Sequence, residues 1–339
     1  MSKTGVLAAG NFIIDAVKMI NCWPEQEALA DIATEAYANG GGAYNVLKDL
    51  ARLQAPMPLY ACGLLGADAY GQRILDDLTA HGIDTRQMHT TSEAATSYTD
   101  VMTLQHNGKR TFFHQRGANA LLSAHHIDAT LQQPAILHLA YLLLLTALDQ
   151  LDAAGRTGAS YVLEQAQQAG CLTSADLVSV NHPHCRQIVG ASLPFIDVLF
   201  LNEYEAGKLT GQSTLQENQL NFVACEAAAK DLLQQGVGRW VILHHPQAVL
   251  AAGTDGSCHW QPSVALPAER IAGTVGAGDA FAAGVLYGLH QQEPISTCLQ
   301  WGVCTAAASL LHPASSDGVL PLQDCLQLGA TYGYQIFQT

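Results

Sequence analysis

The sequence predicts an α/β protein with a mostly parallel sheet, helices on both of its faces, and a second, smaller sheet. Three observations carry this expectation. Short apolar runs of strand length alternate with amphipathic runs of helix length along almost the whole chain. Glycines stand just past several of the helical runs, where a left-handed residue closes a helix. Two pairs of strand-like runs break the alternation, and one pair is joined by an Asn-Gly turn.

In chain order, residues 5–9 read as the first strand. Residues 12–19 and 28–38 also read as strands, ahead of any helix. Residues 43–53 form a helix, because Ala43, Val46, Leu47, Leu50 and Ala51 share one face at i, i+3, i+4 spacing. A strand at 57–62 and a helix at 70–81 follow. Residues 97–105 and 110–114 pair through the turn His106-Asn107-Gly108-Lys109. Residues 136–139 are a strand, and 156–169 a helix closed by Gly170. Strands are expected at 177–180 and 197–201, the latter leading into a helix at 203–209 that stops at Gly211. A helix at 221–235 is capped by Gly236, and 240–243 is a buried strand. The last long helices are 277–290 and 295–311. Ligands in such folds sit at the carboxyl ends of the strands. The strands outside the alternation suit a lid over that end. With no repeat, low-complexity tract or linker, 1–339 reads as one domain, its lid strands drawn from about 12–38 and 97–115.

Composition narrows the function. Among 339 residues, 15 Lys+Arg face 29 Asp+Glu, a net charge of −14. No basic run exists to displace counterions, which excludes nucleic acid and argues against an anionic membrane surface. The longest apolar stretch, 135–148, is shorter than the roughly 20 residues of a membrane span. Asn11 and Asp15 interrupt any signal-like apolar segment, so a soluble, cytoplasmic protein is expected. The cysteines number nine and form no CxxC pair, which speaks against a disulfide scaffold or a four-cysteine zinc site. His182-Pro183-His184-Cys185 and His244-His245 lack the i, i+4 spacing of a helical metal pair.

The sharpest local signal is Gly273-Thr274-Val275-Gly276-Ala277-Gly278-Asp279-Ala280-Phe281. A glycine-rich loop that opens a helix lets backbone N–H groups converge on an anion, and the helix dipole adds positive potential there. Asp279, in the first helical turn, suits either a dipole partner or a general base beside the anion site. Base and amides together make a phosphoryl-transfer pair. Gly40-Gly41-Gly42-Ala43-Tyr44-Asn45 opens the first helix. Its glycines admit a polyhydroxyl ligand, and Asn45 offers both donors and acceptors. Asp15 can accept two hydroxyl hydrogen bonds, or be a solvated loop acid. An apolar strand ends in Asn202-Glu203-Tyr204-Glu205, with an amide and a carboxylate at i and i+3. That pair suits either helix capping or a hydrated Mg²⁺ on a nucleoside triphosphate. No Walker-type loop, dinucleotide loop or kinase H-R-D loop occurs; Gly66 to Gly71 has the spacing of the first but is followed by Gln72-Arg73.

In this order the elements resemble the ribokinase-type (PfkB) carbohydrate kinase family. The resemblance runs through Gly10-Asn11-Phe12-Ile13-Ile14-Asp15, Gly41-Gly42-Ala43-Tyr44-Asn45, Gly63 to Gly71, Asn202-x-x-Glu205 and Gly276-Ala277-Gly278-Asp279-Ala280-Phe281. It implies a ribokinase-like three-layer αβα fold with a small β-sheet lid, and ATP-dependent phosphorylation of a sugar-like CH₂OH. By the same resemblance Asp279 is the catalytic base. The amides of Gly276, Ala277 and Gly278 are the anion hole, and Asp15, Gly41, Gly42 and Asn45 contact substrate hydroxyls. Asn202 and Glu205 form the Mg²⁺–phosphate element, Glu205 holding Mg²⁺ through water. A homodimer through the lid is implied as well. Two departures stand out. Gly273 replaces an Asp that commonly helps form a monovalent-cation site, which puts K⁺ activation in doubt. His244-His245-Pro246 replaces a glycine-containing nucleotide turn, so either the donor site is rebuilt or ATP binds poorly. Tyr44, Tyr98, Phe113 and Trp23 leave a nucleoside acceptor open, or are packing residues. Arg110 and Arg116 suit either a sugar phosphate or an exposed lid surface. The two departures also leave open a kinase-like binding or regulatory protein.

Overall fold

The structure, a computed structural model, describes residues 3–106, 108–217 and 219–336. The chain opens with β1 (Val6–Gly10), whose five residues are all buried, then β2 (Ile13–Ile20) and β3 (Ile32–Gly40). Helix α1 (Gly42–Arg52), β4 (Leu59–Gly66), α2 (Ala69–Ala80) and β5 (Asp84–Thr91) follow. The hairpin β6 (Tyr98–Leu104) and β7 (Arg110–Gln115) precedes β8 (Ile136–Leu142), α3 (Thr146–Asp149), α4 (Gly158–Gln168) and β9 (Leu172–Leu177). Next come α5 (Cys185–Gly190), β10 (Val198–Asn202), α6 (Glu203–Thr210), the two-residue strands β11 (Leu215–Gln216) and β12 (Gln219–Leu220), and α7 (Phe222–Gln234). The chain ends with β13 (Trp240–His244), β14 (Ala248–Gly253), β15 (Cys258–Pro262), α8 (Ala277–His290), α9 (Ile295–Leu310) and α10 (Leu322–Tyr332).

The described residues form a nine-stranded sheet in the order β15-β14-β13-β10-β9-β8-β1-β4-β5. Its pairs are parallel from β5 to β13, and β14 and β15 add an antiparallel edge. Alternation along β1 sends Val6 and Ala8 to one face and Leu7 and Ala9 to the other. Each face carries its own apolar core: one beneath α1, α2, α8, α9 and α10, the other beneath α4, α5, α6 and α7. This is the expected three-layer αβα arrangement. The strand order reverses direction between β1 and β8, and a crevice opens at the carboxyl ends of the strands there. A separate four-stranded sheet, β3-β2-β6-β7, grows from the end of β1 and returns the chain to α1 at that crevice.

The observed elements correct the sequence reading in several places. The strand expected at 177–180 lies earlier, at Leu172–Leu177. Its buried residues include Thr173, Ser174 and Asp176, which mask the apolar pattern. Ser174 Oγ meets His138 Nδ1 at 2.8 Å, and the Thr173 hydroxyl donates to Phe195 O at 2.8 Å. The strand expected from 28 starts at Ile32, because Glu25 and Ala28 close a turn before it. The polar edge strand β5 carries no apolar alternation, and β14, β15 and α10 also went unassigned from sequence. In the β6–β7 turn Gly108 N donates to Leu104 O at 2.8 Å; Asn107 lies outside the described residues.

Candidate active site

Residues from five strand ends and three helix starts meet at the crevice. At the end of β1 the chain turns through Asn11, whose N–H donates to Ala140 O of β8 at 2.9 Å. Asn11 Oδ1 accepts from Gly42 N at 3.1 Å and so ties the start of α1 to the end of β1. Gly41 adopts φ +100°, which favours glycine. A Cβ on Gly42 would lie 2.6 Å from the Tyr141 ring, so the absence of a side chain makes room for that tyrosine.

Gly276 (φ +79°) turns the chain into α8, and no side chain caps the helix there. The first-turn amides are therefore left for a ligand. Asp279 is buried one turn in. Its Oδ2 accepts from Asn45 Nδ2 at 2.7 Å and its Oδ1 from the Tyr141 hydroxyl at 2.5 Å. Burial pushes the carboxyl up to about 6, against the pull of those two hydrogen bonds. Asn45 Oδ1 accepts in turn from Ser315 Oγ at 3.0 Å and Ser316 Oγ at 3.4 Å. Asp15 lies on β2 opposite Thr99 of β6. Burial, then the charge of Asp279, pushes it up to about 6, and Arg110 and Thr99 pull it down.

Asn202 and Glu205 form a reciprocal cap at the start of α6. Asn202 Oδ1 accepts from Glu205 N at 2.9 Å, and Glu205 Oε2 from Asn202 N at 2.9 Å. Ser179 Oγ donates to Glu205 Oε1 at 2.7 Å. Burial raises the Glu205 carboxyl. A cavity of about 290 Å³ brings Asn202 and Glu205 together with Gly276, Ala277, Gly278 and Asp279, and with Tyr141 and Asp176. Asp176 is buried, and desolvation followed by the charges of Glu205 and Asp279 drives its pKa well up. Among the described residues no three acidic, His or Cys side chains converge to chelate an ion. The donor set is oxygen-rich, acidic and loosely spaced, which fits Mg²⁺ held through its own waters.

A second cavity, of about 430 Å³, shares Asn202, His244, Thr274, Ala277 and Gly278 with the first. Its walls are largely apolar, with Ile271, Phe281, Val303 and Leu310 among them. His244 thus stands at the junction, where a Cβ on Gly278 would lie 3.3 Å from its Cε1. Burial lowers the His244 imidazole to about 4, so it is neutral near pH 7. A Cβ at Gly273 would press to 3.0 Å against the backbone of His312 and Pro313.

The structure brings Asp279, Asn45, Gly42, Gly276–Gly278, Asn202 and Glu205 to one crevice, with Asp15 on the small sheet beside it. It turns Tyr44 away: the ring is buried and its hydroxyl donates to Asp77. Arg116 donates to the carbonyls of Leu143 and Leu144 at 3.3 and 2.9 Å. Trp23 stacks on Phe113 with centroids 6.0 Å apart. Tyr141, Asp176, Ser315 and Ser316 were missed. Tyr141 hides in the apolar run of β8 and Asp176 in a strand masked by polar residues; Ser315 and Ser316 lie in a loop with no local motif.

Across residues 5–322 the chain matches the family model described as pfkB family carbohydrate kinase. It is 21% identical over 276 residues to adenosine kinase 1 of Arabidopsis thaliana, covering 78% of this chain and 76% of that protein. To ketohexokinase of Mus musculus it is 22% identical over 328 residues, 94% of this chain and 100% of that one. Arabidopsis thaliana ribokinase complexed with ribose and ATP is similar in structure, with a TM-score of 0.81 and 21% identity over 96% of this chain and 99% of that one.

Proposed function

The chain belongs to the pfkB family of carbohydrate kinases, phosphotransferases with an alcohol acceptor, and from that premise we propose that it transfers the γ-phosphoryl group of ATP to a CH₂OH of a sugar or sugar derivative, with Asp279 as general base. One observation carries the reading: a buried carboxylate, held by two donors, stands in the first turn of a helix whose N-terminus has no side-chain cap. The ribokinase neighbour with ribose and ATP supports both substrates.

The acceptor hydroxyl lies between Asp279 and the γ-phosphorus. Asp279 takes its proton as the new O–P bond forms and ADP leaves. The amides of Gly276, Ala277 and Gly278 receive the negative charge spreading over the transferring group. Asp15, the Gly41 and Gly42 backbone and the second amide hydrogen of Asn45 hold the remaining hydroxyls. Asn202 and Glu205 hold the waters of Mg²⁺, which when bound neutralises triphosphate charge. The apolar walls of the larger cavity suit the base of the nucleotide. The small sheet excludes water from the acceptor side. Its exposed Phe112 and Phe113 suit the face of a homodimer, and nine free cysteines suit a reducing, cytoplasmic compartment.

A nucleoside acceptor is the second reading, favoured by the likeness to adenosine kinase 1. An ADP-release screen over sugars, sugar phosphates and nucleosides with Mg-ATP separates the two. A sugar substrate supports the first reading, a nucleoside the second, and full activity in EDTA contradicts the role given to Mg²⁺.

A further inference from the structure

We propose that Tyr141 is a positioning residue that, with Asn45, fixes the carboxylate of Asp279 for proton abstraction. The inference rests on the reading of Asp279 as the base. Three elements converge on this group. Tyr141 comes from β8, Asn45 from α1, and Asp279 from α8. The tyrosine hydroxyl donates to Oδ1 at 2.5 Å and the Asn45 amide to Oδ2 at 2.7 Å. With one donor on each oxygen, the carboxylate cannot turn about its Cβ–Cγ bond without breaking a hydrogen bond. Each oxygen keeps a second lone-pair direction, so an acceptor hydroxyl can approach without displacing either donor.

The tyrosine is itself held. Its Cε1 and Cζ pack over Gly42, where any side chain would come within 2.6 Å. The third glycine of the 40–42 run therefore serves the base from a distance: it admits the ring that grips Asp279. Asn45 is anchored from behind by the Ser315 and Ser316 hydroxyls. The phenol stays protonated, because burial and the charges of Asp279, Asp176 and Asp15 all oppose its ionisation. It therefore acts as a donor only.

A hydrogen bond to the charged form keeps a buried carboxylate ionised at a lower pH than burial alone would allow. The other charged or titratable groups around the pair are Asp15 on β2, Asp49 on α1, Asp176 on β9, Glu205 on α6, His244 on β13 and Arg110 on β7, which acts through Asp15. None of them donates a hydrogen bond to Asp279 among the described residues. Tyr141 and Asn45 are thus the two groups that offset its desolvation.

The test compares the pH dependence of kcat/KM in the wild type, Tyr141→Phe and Asp279→Asn. Tyr141→Phe keeps the ring and removes the donor. The expected result is an acid limb moved up by about one unit, which lowers turnover about tenfold near pH 5 and about twofold near pH 7, with little change in acceptor KM and the rate recovered at alkaline pH. A purely structural role would not move the limb. Should Tyr141→Phe fail to fold, 3-fluorotyrosine at position 141 serves instead. It keeps the ring, strengthens the donor, and is expected to move the limb down. A limb unmoved in the folded variant overturns the inference and leaves Asp279 as the base. Undiminished turnover in Asp279→Asn overturns the reading of the base, and the inference with it.

Discussion

Burial and hydrogen bonding act on Asp279 in opposite directions. Loss of water pushes the carboxyl up, and the donors Tyr141 and Asn45 pull it back, leaving it at about 6. A base must be unprotonated to accept a proton, so kcat/KM is expected to fall as pH drops through about 6. Asp15, also raised to about 6 and coupled to Asp279 by charge, titrates over the same range, so the limb belongs to the pair. Asp279→Asn keeps the size and loses the basicity; its oxygen can still accept from Asn45, and the Tyr141 hydroxyl can turn to accept from the new amide. Its kcat is expected to fall by about 10²–10⁴ in a coupled ADP assay, with the melting temperature little changed. Asp279 and Asn45 were legible in the sequence because glycines mark the turns that present them. Tyr141 and Asp176 were not, because a side chain at the end of a buried strand carries no local signature. Only the pairing of β8 with β1 and β9 brings them to the crevice.

At the scale of elements, the site depends on how two helices begin. Gly276 starts α8 at φ +79°, and a Cβ there would lie 2.6 Å from Cβ of Ser315. Gly276→Ala is therefore expected to cost about 1–3 kcal/mol in urea unfolding and to lower kcat by displacing the first-turn amides. Helix α6 begins with a cap whose carboxylate faces the cavity. The two uses considered for Glu205, capping and holding Mg²⁺ waters, separate by substitution. Glu205→Gln keeps the acceptor that the cap needs and removes the charge. Stability should change by less than about 0.5 kcal/mol, while the Mg²⁺ concentration for half-maximal activity rises roughly tenfold or more. Glu205→Ala should lose about 1 kcal/mol as well. The long helices and buried parallel strands could be read because 3.6-residue periodicity and uniform apolarity are local properties. The edge strand β5 could not, because its mostly polar residues take their place only by pairing with β4. Likewise β9 buries hydroxyls whose partners, His138 and Phe195, come from distant parts of the chain.

The whole molecule gathers acidic side chains around the crevice to which the proposed reaction assigns a triphosphate. It carries 15 basic against 29 acidic residues, and Asp15, Asp49, Asp176, Glu205 and Asp279 all have carboxyls raised by burial. Under the proposed reaction, the first-turn amides of α8 and a divalent cation would supply the counter-charge. Asp49 adds a stability consequence: it is fully buried, and loss of water with the charge of Asp279 beside it outweighs the pull of the Ser316 hydroxyl, Lys48 and Arg52. Its folded-state pKa lies well above the ordinary 3.8. Its contribution to stability is therefore fully present below that ordinary value and is lost as pH rises towards the folded-state pKa. Asp49→Asn should match the wild type near pH 4 and melt roughly 2–4 °C higher at pH 8, read by scanning calorimetry at both values. The three-layer architecture and the position of the crevice were legible because they follow from element order; the density of buried acids was not, because burial is a property of the assembled chain. The most direct test of the central claim is ADP release with Mg-ATP and the best acceptor from a sugar and nucleoside screen, measured for the wild type and Asp279→Asn side by side. The account predicts acceptor-dependent ADP release in the wild type and a loss of at least about a hundredfold in the folded variant; near-wild-type release by Asp279→Asn would contradict it.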